Sequence, residues 1–278
     1  MNDKVRRPWL WTTVFTLITL AYIYPIVLVV INSFKGKVFI ADDPFSLPNA
    51  ETFVGFENYA RGVELTDFFA SFGWSLVITV GSAALILLCT SMTAWWIVRM
   101  DNRFAKTLYS TFLFNLLVPF QMVMFTLSWL ADYLHLNNPF GLWIIYLGFG
   151  AGLAVFIFTG FVKGIPYEIE EAATIDGCGP VRTFFLVVAP MMKPAIITVG
   201  ILQVMWLWND YLLPYLTLDL KEYKTIPIAV QYLKGGYGSV DLGAMMGILV
   251  LAMIPVIVFY LFSQKHIIKG VAAGAVKG

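Results

Sequence analysis

The chain has 278 residues, 59% of them hydrophobic and only 13% charged, with a mean hydropathy of +0.79. Soluble domains run near about 45–50% apolar and about 25% charged, so this composition excludes an ordinary soluble domain. The net charge of +1 likewise excludes a general attraction to nucleic acid.

Lys4, Arg6 and Arg7 precede an apolar stretch from Trp9 to about Phe34. That resembles the charged head of a signal peptide, but the apolar run is too long, and no small-residue cleavage pattern follows before Lys35 and Lys37. It reads as a retained first helix. A helix needs roughly 20 mostly apolar residues to cross a bilayer core of about 30 Å. Six segments qualify: 9–34, 71–97, 107–129, 140–161, 195–216 and 242–262. Asn115, Pro119 and Gln121 interrupt the third; Asn209, Asp210 and Pro214 interrupt the fifth. The expected fold class is an all-α integral membrane protein with six transmembrane helices. A single membrane domain spans 1–278, with 71–262 as its core.

Lys and Arg placement sets the orientation. One side carries Lys4, Arg6 and Arg7; Arg99, Arg103 and Lys106; Lys163, Arg182 and Lys193; and Lys265, Lys269 and Lys277. The other side carries half as many: Lys35, Lys37, Arg61, Lys221, Lys224 and Lys234, diluted by acids such as Asp42, Asp43, Glu51, Glu57, Glu64 and Asp67. Both termini are therefore expected in the cytoplasm.

Catalytic and nucleotide-binding motifs are absent. No G-x-x-x-x-G-K-[ST] loop occurs to cradle ATP phosphates, and no H-E-x-x-H occurs to hold zinc. His135 and His266 are placed on opposite faces of the membrane. Cys89 lies in an apolar run and Cys178 in a polar loop, with no metal-site spacing between them. No cofactor is expected on the chain itself.

Segment 162–194, on the basic side, is the informative loop. Pro166 suits the first position of a helix, and Glu168, Glu170 and Glu171 complement the positive end of its dipole. Ala172 and Ala173 favour the helix and leave room for a neighbouring backbone. Gly177 suits the left-handed residue that ends it. Gly179 and Pro180 start a second short helix through Arg182, Phe184 and Phe185 to Pro190. Each helix is too short to be stable alone. Phe184, Phe185 and Leu186 are expected to anchor the loop on the membrane domain, leaving Ala172, Ala173 and Gly177 free for a second protein.

This segment resembles the coupling loop of ABC importer permeases, whose pattern is E-A-A, three residues, G, nine residues, I-x-L-P. Here it reads Glu171-Ala172-Ala173, Gly177, then Val187-Val188-Ala189-Pro190 after the same spacing, with Val for Ile and Ala for Leu. Leu207-Trp208-Asn209-Asp210-Tyr211, the tail Gln264–Gly270 and Gly274-Ala275-Val276-Lys277-Gly278 extend the resemblance to carbohydrate importer permeases. The type is the shorter of the two permeases in maltose- or raffinose-type systems. The resemblance implies the type I importer fold in a bacterial inner membrane. It also implies a second permease, two ATPase subunits holding ATP and magnesium, and an extracytoplasmic sugar-binding protein that delivers the sugar. In it, Glu171, Ala172, Ala173, Asp176, Gly177 and Pro190 take the ATPase-coupling role.

Asp210 is the one acid placed inside a span, and such a residue usually faces a bundle interior or a wet cavity. With Asn209, and with Trp206 and Trp208 offering flat faces of the kind that stack on sugar rings, it forms a candidate translocation-cavity wall; Gln121 and Asn115, near Pro119, are candidates for the same wall, with structural packing the favoured reading of those two. The alternative places Asp210 at the outer interface, with the tryptophans as an aromatic belt. Gly235, Gly236, Tyr237 and Gly238, in the outer loop 217–241, are flexible enough to enter a cleft. In the resembled family this loop reaches into the binding protein; the residues alone favour a plain solvent loop. Segment 35–70 is a partner-contact surface or a simple connector. The competing functions are an importer permease for a non-sugar solute and an ion-driven secondary transporter. The latter usually needs more spans and inverted repeats.

Overall fold

The computed structural model describes residues 8–233 and 241–275, with side-chain surroundings for 9–233 and 241–265. In chain order its helices are α1 (Pro8–Asn32), α2 (Lys37–Asp42), α3 (Glu57–Thr66), α4 (Phe68–Arg99), α5 (Arg103–Asn115), α6 (Phe120–Tyr133) and α7 (Pro139–Val162). There follow α8 (Tyr167–Ile175), α9 (Pro180–Thr183), a π-helical turn (Phe184–Val188), α10 (Ala189–Met191), α11 (Lys193–Asn209), α12 (Leu212–Thr217), α13 (Ile226–Tyr232) and α14 (Leu242–Ala275). Among the described residues the one isolated extended pairing is an antiparallel bridge between Lys35 and Phe53.

Four helices, α1, α4, α7 and α14, are long and apolar enough to span a membrane singly. Two bent pairs bring the number to as many as six: α5 with α6 at 103°, and residues 180–191 with α11 at 79°. The third expected span, 107–129, is thus not one straight helix. Pro119 has no N–H to donate, and its ring crowds the carbonyl four residues back, at Asn115. Helix α5 ends on that residue, and Pro119 caps α6 in an extended conformation. The fifth expected span, 195–216, fails by the same rule. Pro214 crowds Asp210, α11 stops at Asn209, and Asp210 turns extended (ψ 125°). Pro25 and Pro255, by contrast, stay inside continuous helices. At both breaks a polar side chain occupies the crowded position and finds other bonds. Asn115 Nδ2 donates to Gly148 O at 2.7 Å, and Asp210 Oδ1 accepts the Leu212 N–H at 3.1 Å. Such partners are what allow a broken helix in lipid.

The chain divides into two compact units. The first comprises the described residues of Met1–Phe69 and of Ala229–Pro255. Its polar centre is a fully buried Lys35, whose ammonium donates to Asp43 O (2.8 Å) and Ser46 Oγ (3.0 Å). Buried Asn58 on α3 donates to Ser33 O (2.9 Å) and Lys35 O (2.7 Å), tying the chain beyond α1 to α3. Phe34 packs with the rings of Phe53, Phe56 and Tyr59. Arg61 grips Asp241 through two oxygens, Nε at 2.8 Å and Nη2 at 3.0 Å, while Asp241 Oδ1 also caps α14 by accepting the Ala244 N–H. Helix α1 itself is different: none of its most apolar stretch is buried within the chain.

The second unit comprises Ala70–Ile228 and the described residues of Val256–Gly278. Its core gathers Ile78, Ile86, Leu142, Tyr146, Phe158, Phe184, Val188, Met192, Val199 and Leu213. Helix α7, capped by Asn138 and started by Pro139, is the spine. Helices α5 and α11 pack on it, and Gln203 Nε2 on α11 donates to Gly150 O at 3.1 Å. The segments beyond the two breaks pack on each other: α6 lies against α12, with Ser128 Oγ donating to Leu216 O at 2.7 Å.

Small residues let α5 approach α7, the usual device where no water drives helices together. At Gly152 an added Cβ would lie 2.9 Å from the Phe112 carbonyl oxygen, whereas at Gly148 it would meet nothing within 4 Å. Gly152→Ala is therefore expected to lower stability by about 1–3 kcal/mol, the usual cost of overpacking, and Gly148→Ala to change it little. Thermal melting of the two purified variants in one detergent checks this. Equal melting points would mean that α5 and α7 separate without cost.

Candidate functional site

Segment 162–194 forms the expected pair of short helices, with corrections. Pro166 is not the first helical residue but the N-cap of α8, in an extended conformation (φ −59°, ψ 134°). Asp176 caps the other end, and Gly177 takes φ +83°. The Gly177 N–H then reaches Thr174 O (3.0 Å) and the Cys178 N–H reaches Ala173 O (2.9 Å), so two otherwise orphaned carbonyls are satisfied.

Glu168 and Glu171 are exposed, but Glu170 is buried. Its Oε1 accepts from Arg99 Nη2 (2.6 Å) and Nε (2.9 Å), and its Oε2 accepts from the Trp95 indole N–H (2.9 Å). Arg99 Nη2 also donates to Ile165 O at 3.0 Å, and the guanidinium lies 5.6 Å from the centre of the Tyr167 ring. A helix-dipole role is thus the lesser part of what Glu170 does: it ties α8 to the end of α4. Ala172 is exposed as expected, but Ala173 is buried against the chain, so it is not part of the free surface.

The second helix runs 180–191 with a π turn in its middle. Proline explains the turn: Pro190 cannot donate, and its ring crowds the carbonyl of Leu186. Widening the preceding turn lets the Ala189 N–H bond five residues back, to Phe184 O. Phe184 is the anchor, fully buried with its ring centre 5.5 Å from that of Trp95. Phe185 and Leu186, expected to anchor too, are exposed within this chain, and so is Pro190. At the adjoining turn, the exposed Asp101 carboxyl is held below the usual carboxylate range by its hydrogen bond to Lys106 and that ammonium's charge.

The second candidate group lies at the helix breaks. Asp210 stands in the gap between α11 and α12 rather than inside a continuous span. The Tyr146 hydroxyl of α7 donates to Asp210 Oδ2 at 2.9 Å, and Trp206 meets the Tyr146 ring edge-on, centres 5.4 Å apart. Trp206 and Asn209 are exposed, and the Asn209 amide donates to Met205 O of its own helix. Trp208 is instead buried, edge-on to Phe72. Asn115 and Gln121 flank the α5–α6 bend; Asn115 uses its amide to hold α7, and Gln121 is exposed. Gly235, Gly236, Tyr237 and Gly238 lie outside the described residues. Among the described residues no group of three or more His, Cys, Asp or Glu side chains could hold a metal ion, and Cys89 and Cys178 are free thiols.

Residues 86–273 match the family of binding-protein-dependent transport system inner membrane components. The chain belongs to this family. The permease is 35% identical over 271 residues to a probable starch degradation products transport system permease protein of Thermoanaerobacterium thermosulfurigenes, covering 98% of this chain and 97% of that one. It is 33% identical over 281 residues to a multiple sugar-binding transport system permease protein of Streptococcus mutans, covering 99% of each. Its fold matches a chain in the crystal structure of a bacterial ABC transporter involved in alginate import, with a TM-score of 0.77 and 22% identity, over 95% and 98% of the two chains. It is therefore an inner-membrane permease subunit of an ABC importer, a transport component and not an enzyme.

Sequence reasoning missed Trp95, Arg99 and Tyr146. Arg99 counted only as one basic charge at the end of a span, and Glu170 lies 71 positions away from it. Tyr146 sits in the middle of the apolar helix α7 with no local signal. The unpaired charge at a helix end was the clue available for Arg99; Tyr146 had none.

Proposed function

We propose that this permease carries a sugar or oligosaccharide inward as half of a translocation pathway, the other half being a second permease. The observation that carries this reading is the full-length likeness to relatives named for starch products and multiple sugars. Loop 162–194 is the coupling element, presenting Glu171, Ala172 and Gly177 to one of two separate ATPase subunits, where ATP and magnesium bind. Both termini face the cytoplasm, which the basic residues of 98–106, 162–194 and the tail support. Residues 1–278 work as one permease domain. An extracytoplasmic sugar-binding protein delivers the substrate, and Gly235–Gly238 contact it. Asp210, Trp206 and Asn209 border the pathway at the α11–α12 break, and Asn115 and Gln121 border it at the α5–α6 break.

The complex reconstituted in vesicles, given a panel of radiolabelled mono- and oligosaccharides, is expected to import at least one of them in an ATP-dependent manner. The chain alone is expected to hydrolyse no ATP. Uptake of an amino acid or ion but of no sugar in the panel would overturn the substrate class. Saturable hydrolysis by the isolated chain would overturn the division of labour.

A further inference from the structure

We propose that Glu170 is a positioning residue for ATP coupling, its buried pair with Arg99 and Trp95 making α8 and α4 move as one piece. This rests on loop 162–194 being the coupling element. A short helix on a flexible turn transmits nothing: pushed at its exposed face, it would swing about the turn instead of displacing a span. The turn here is Lys163–Pro166, joining α7 to α8, and it includes Gly164. Arg99 holds both the turn itself and the helix beyond it. One Nη2 donates to Ile165 O before α8 and to Glu170 Oε1 within α8, while Nε adds a second bond to the same carboxylate oxygen.

Trp95 lies one helical turn before Arg99 on α4 and takes the other carboxylate oxygen. The Glu170 side chain is 6% exposed and that of Arg99 is 18% exposed. Water therefore competes little for these bonds, and the geometry is fixed by four donor contacts from one helix. Helix α4 runs unbroken for 32 residues, unlike the two bent pairs. Near its far end the buried Ser75 hydroxyl accepts the Ile226 N–H at 2.8 Å, and Trp74 meets Tyr223 edge-on. A shift of α8 thus acts on a rod that is held by side chains at both ends.

The test uses the assembled transporter in vesicles, reading sugar imported per ATP hydrolysed. Glu170→Gln keeps the shape but removes the charge; Trp95→Phe keeps the ion pair and removes one donor. Both are expected to lower the ratio by about 2- to 30-fold, the range seen when coupling residues remote from ligands are altered. The amount of ATPase retained per permease should stay near wild type in Trp95→Phe. A residue that only stabilised the fold would lower assembly and leave the ratio of the surviving complexes unchanged. An unchanged ratio in both variants overturns the proposal, whatever their yield. If Glu170→Gln does not assemble, the ratio in Trp95→Phe decides. Gly177→Leu, measured in parallel, separates the two readings. If it uncouples while both cluster variants do not, the ion pair is not the link but the loop is. If none of the three uncouples, the coupling reading of the loop falls as well.

Discussion

Gly177→Leu is expected to leave the permease in the membrane but to lose at least about tenfold in ATPase association or in sugar uptake. The residue holds φ +83° in the turn between the two short helices. An L-residue in that region costs roughly 1–2 kcal/mol, which is about a 5- to 30-fold bias away from the native turn. Within the chain a Cβ at this position meets nothing within 4 Å, so no internal clash adds to the strain. The damage is then confined to the turn and to whatever docks on it. The bonds at stake are Gly177 N–H to Thr174 O and Cys178 N–H to Ala173 O. Gly177→Ala should show the strain without the bulk and fall between the two. Glu171→Ala, at an exposed position, should lose only a dipole interaction of about 0.3–1 kcal/mol. Co-purification of the ATPase, with uptake measured on the same preparations, gives the answer. Full association and full uptake in Gly177→Leu would remove the loop from the mechanism.

Replacement of Asp210 by Leu should abolish uptake and also lower stability. The carboxylate serves two groups that have no ready substitute, the Tyr146 hydroxyl and the Leu212 N–H at the helix break. Tyr146 is fully buried, so its hydroxyl would be stranded. A buried polar group left without a partner costs about 1–3 kcal/mol. Asp210→Asn keeps an acceptor and should cost less than Asp210→Leu. A double-mutant cycle with Tyr146→Phe separates a packing role from a pathway role. If the pair only holds the break in shape, the two single losses in melting temperature should be non-additive, with a coupling of about 0.5–3 kcal/mol, and uptake should follow stability. If Asp210 also faces the pathway, Asp210→Asn should lose more uptake than Tyr146→Phe at equal stability. Additive losses in melting temperature would mean that the hydrogen bond is not what holds the break.

Much of this was legible beforehand because lipid leaves few options. Apolar length locates α1, α4, α7 and the start of α14 within a few residues, and the Gly177 turn follows from a glycine spaced after a helix-forming run. Length alone could not say that Pro119 and Pro214 break their helices while Pro25 and Pro255 do not. The difference lies in the polar residue four positions earlier and in its partner on another helix, which no local pattern contains. The same limit hid the Glu170 cluster. Three glutamates near a helix start look equivalent until the fold buries one of them against Arg99. Nor did apolar pattern say where α14 stops: it continues to Ala275, beyond the expected 242–262, and 34 residues reach about 51 Å, well past a hydrocarbon core of about 30 Å.

The first compact unit is split by residues 70–228 of the second, and this dictates an order of assembly at the ribosome. Arg61 and Asp241 are 180 residues apart in the chain. At roughly 5–20 residues per second, about 9–36 s pass between their synthesis. Through that interval α3 can close on the Ser33 and Lys35 carbonyls through Asn58, but the Asp241 end of its surface has no partner. Helix α1, with none of its most apolar stretch buried in the chain, needs no such wait and is stable in lipid as soon as it leaves the insertion machinery. A nascent chain arrested before Asp241 should therefore carry an inserted α1 and an α3 open to protease, and release of the arrest should close α3. The unit begun first therefore closes only after residues 70–228 of the second have been made.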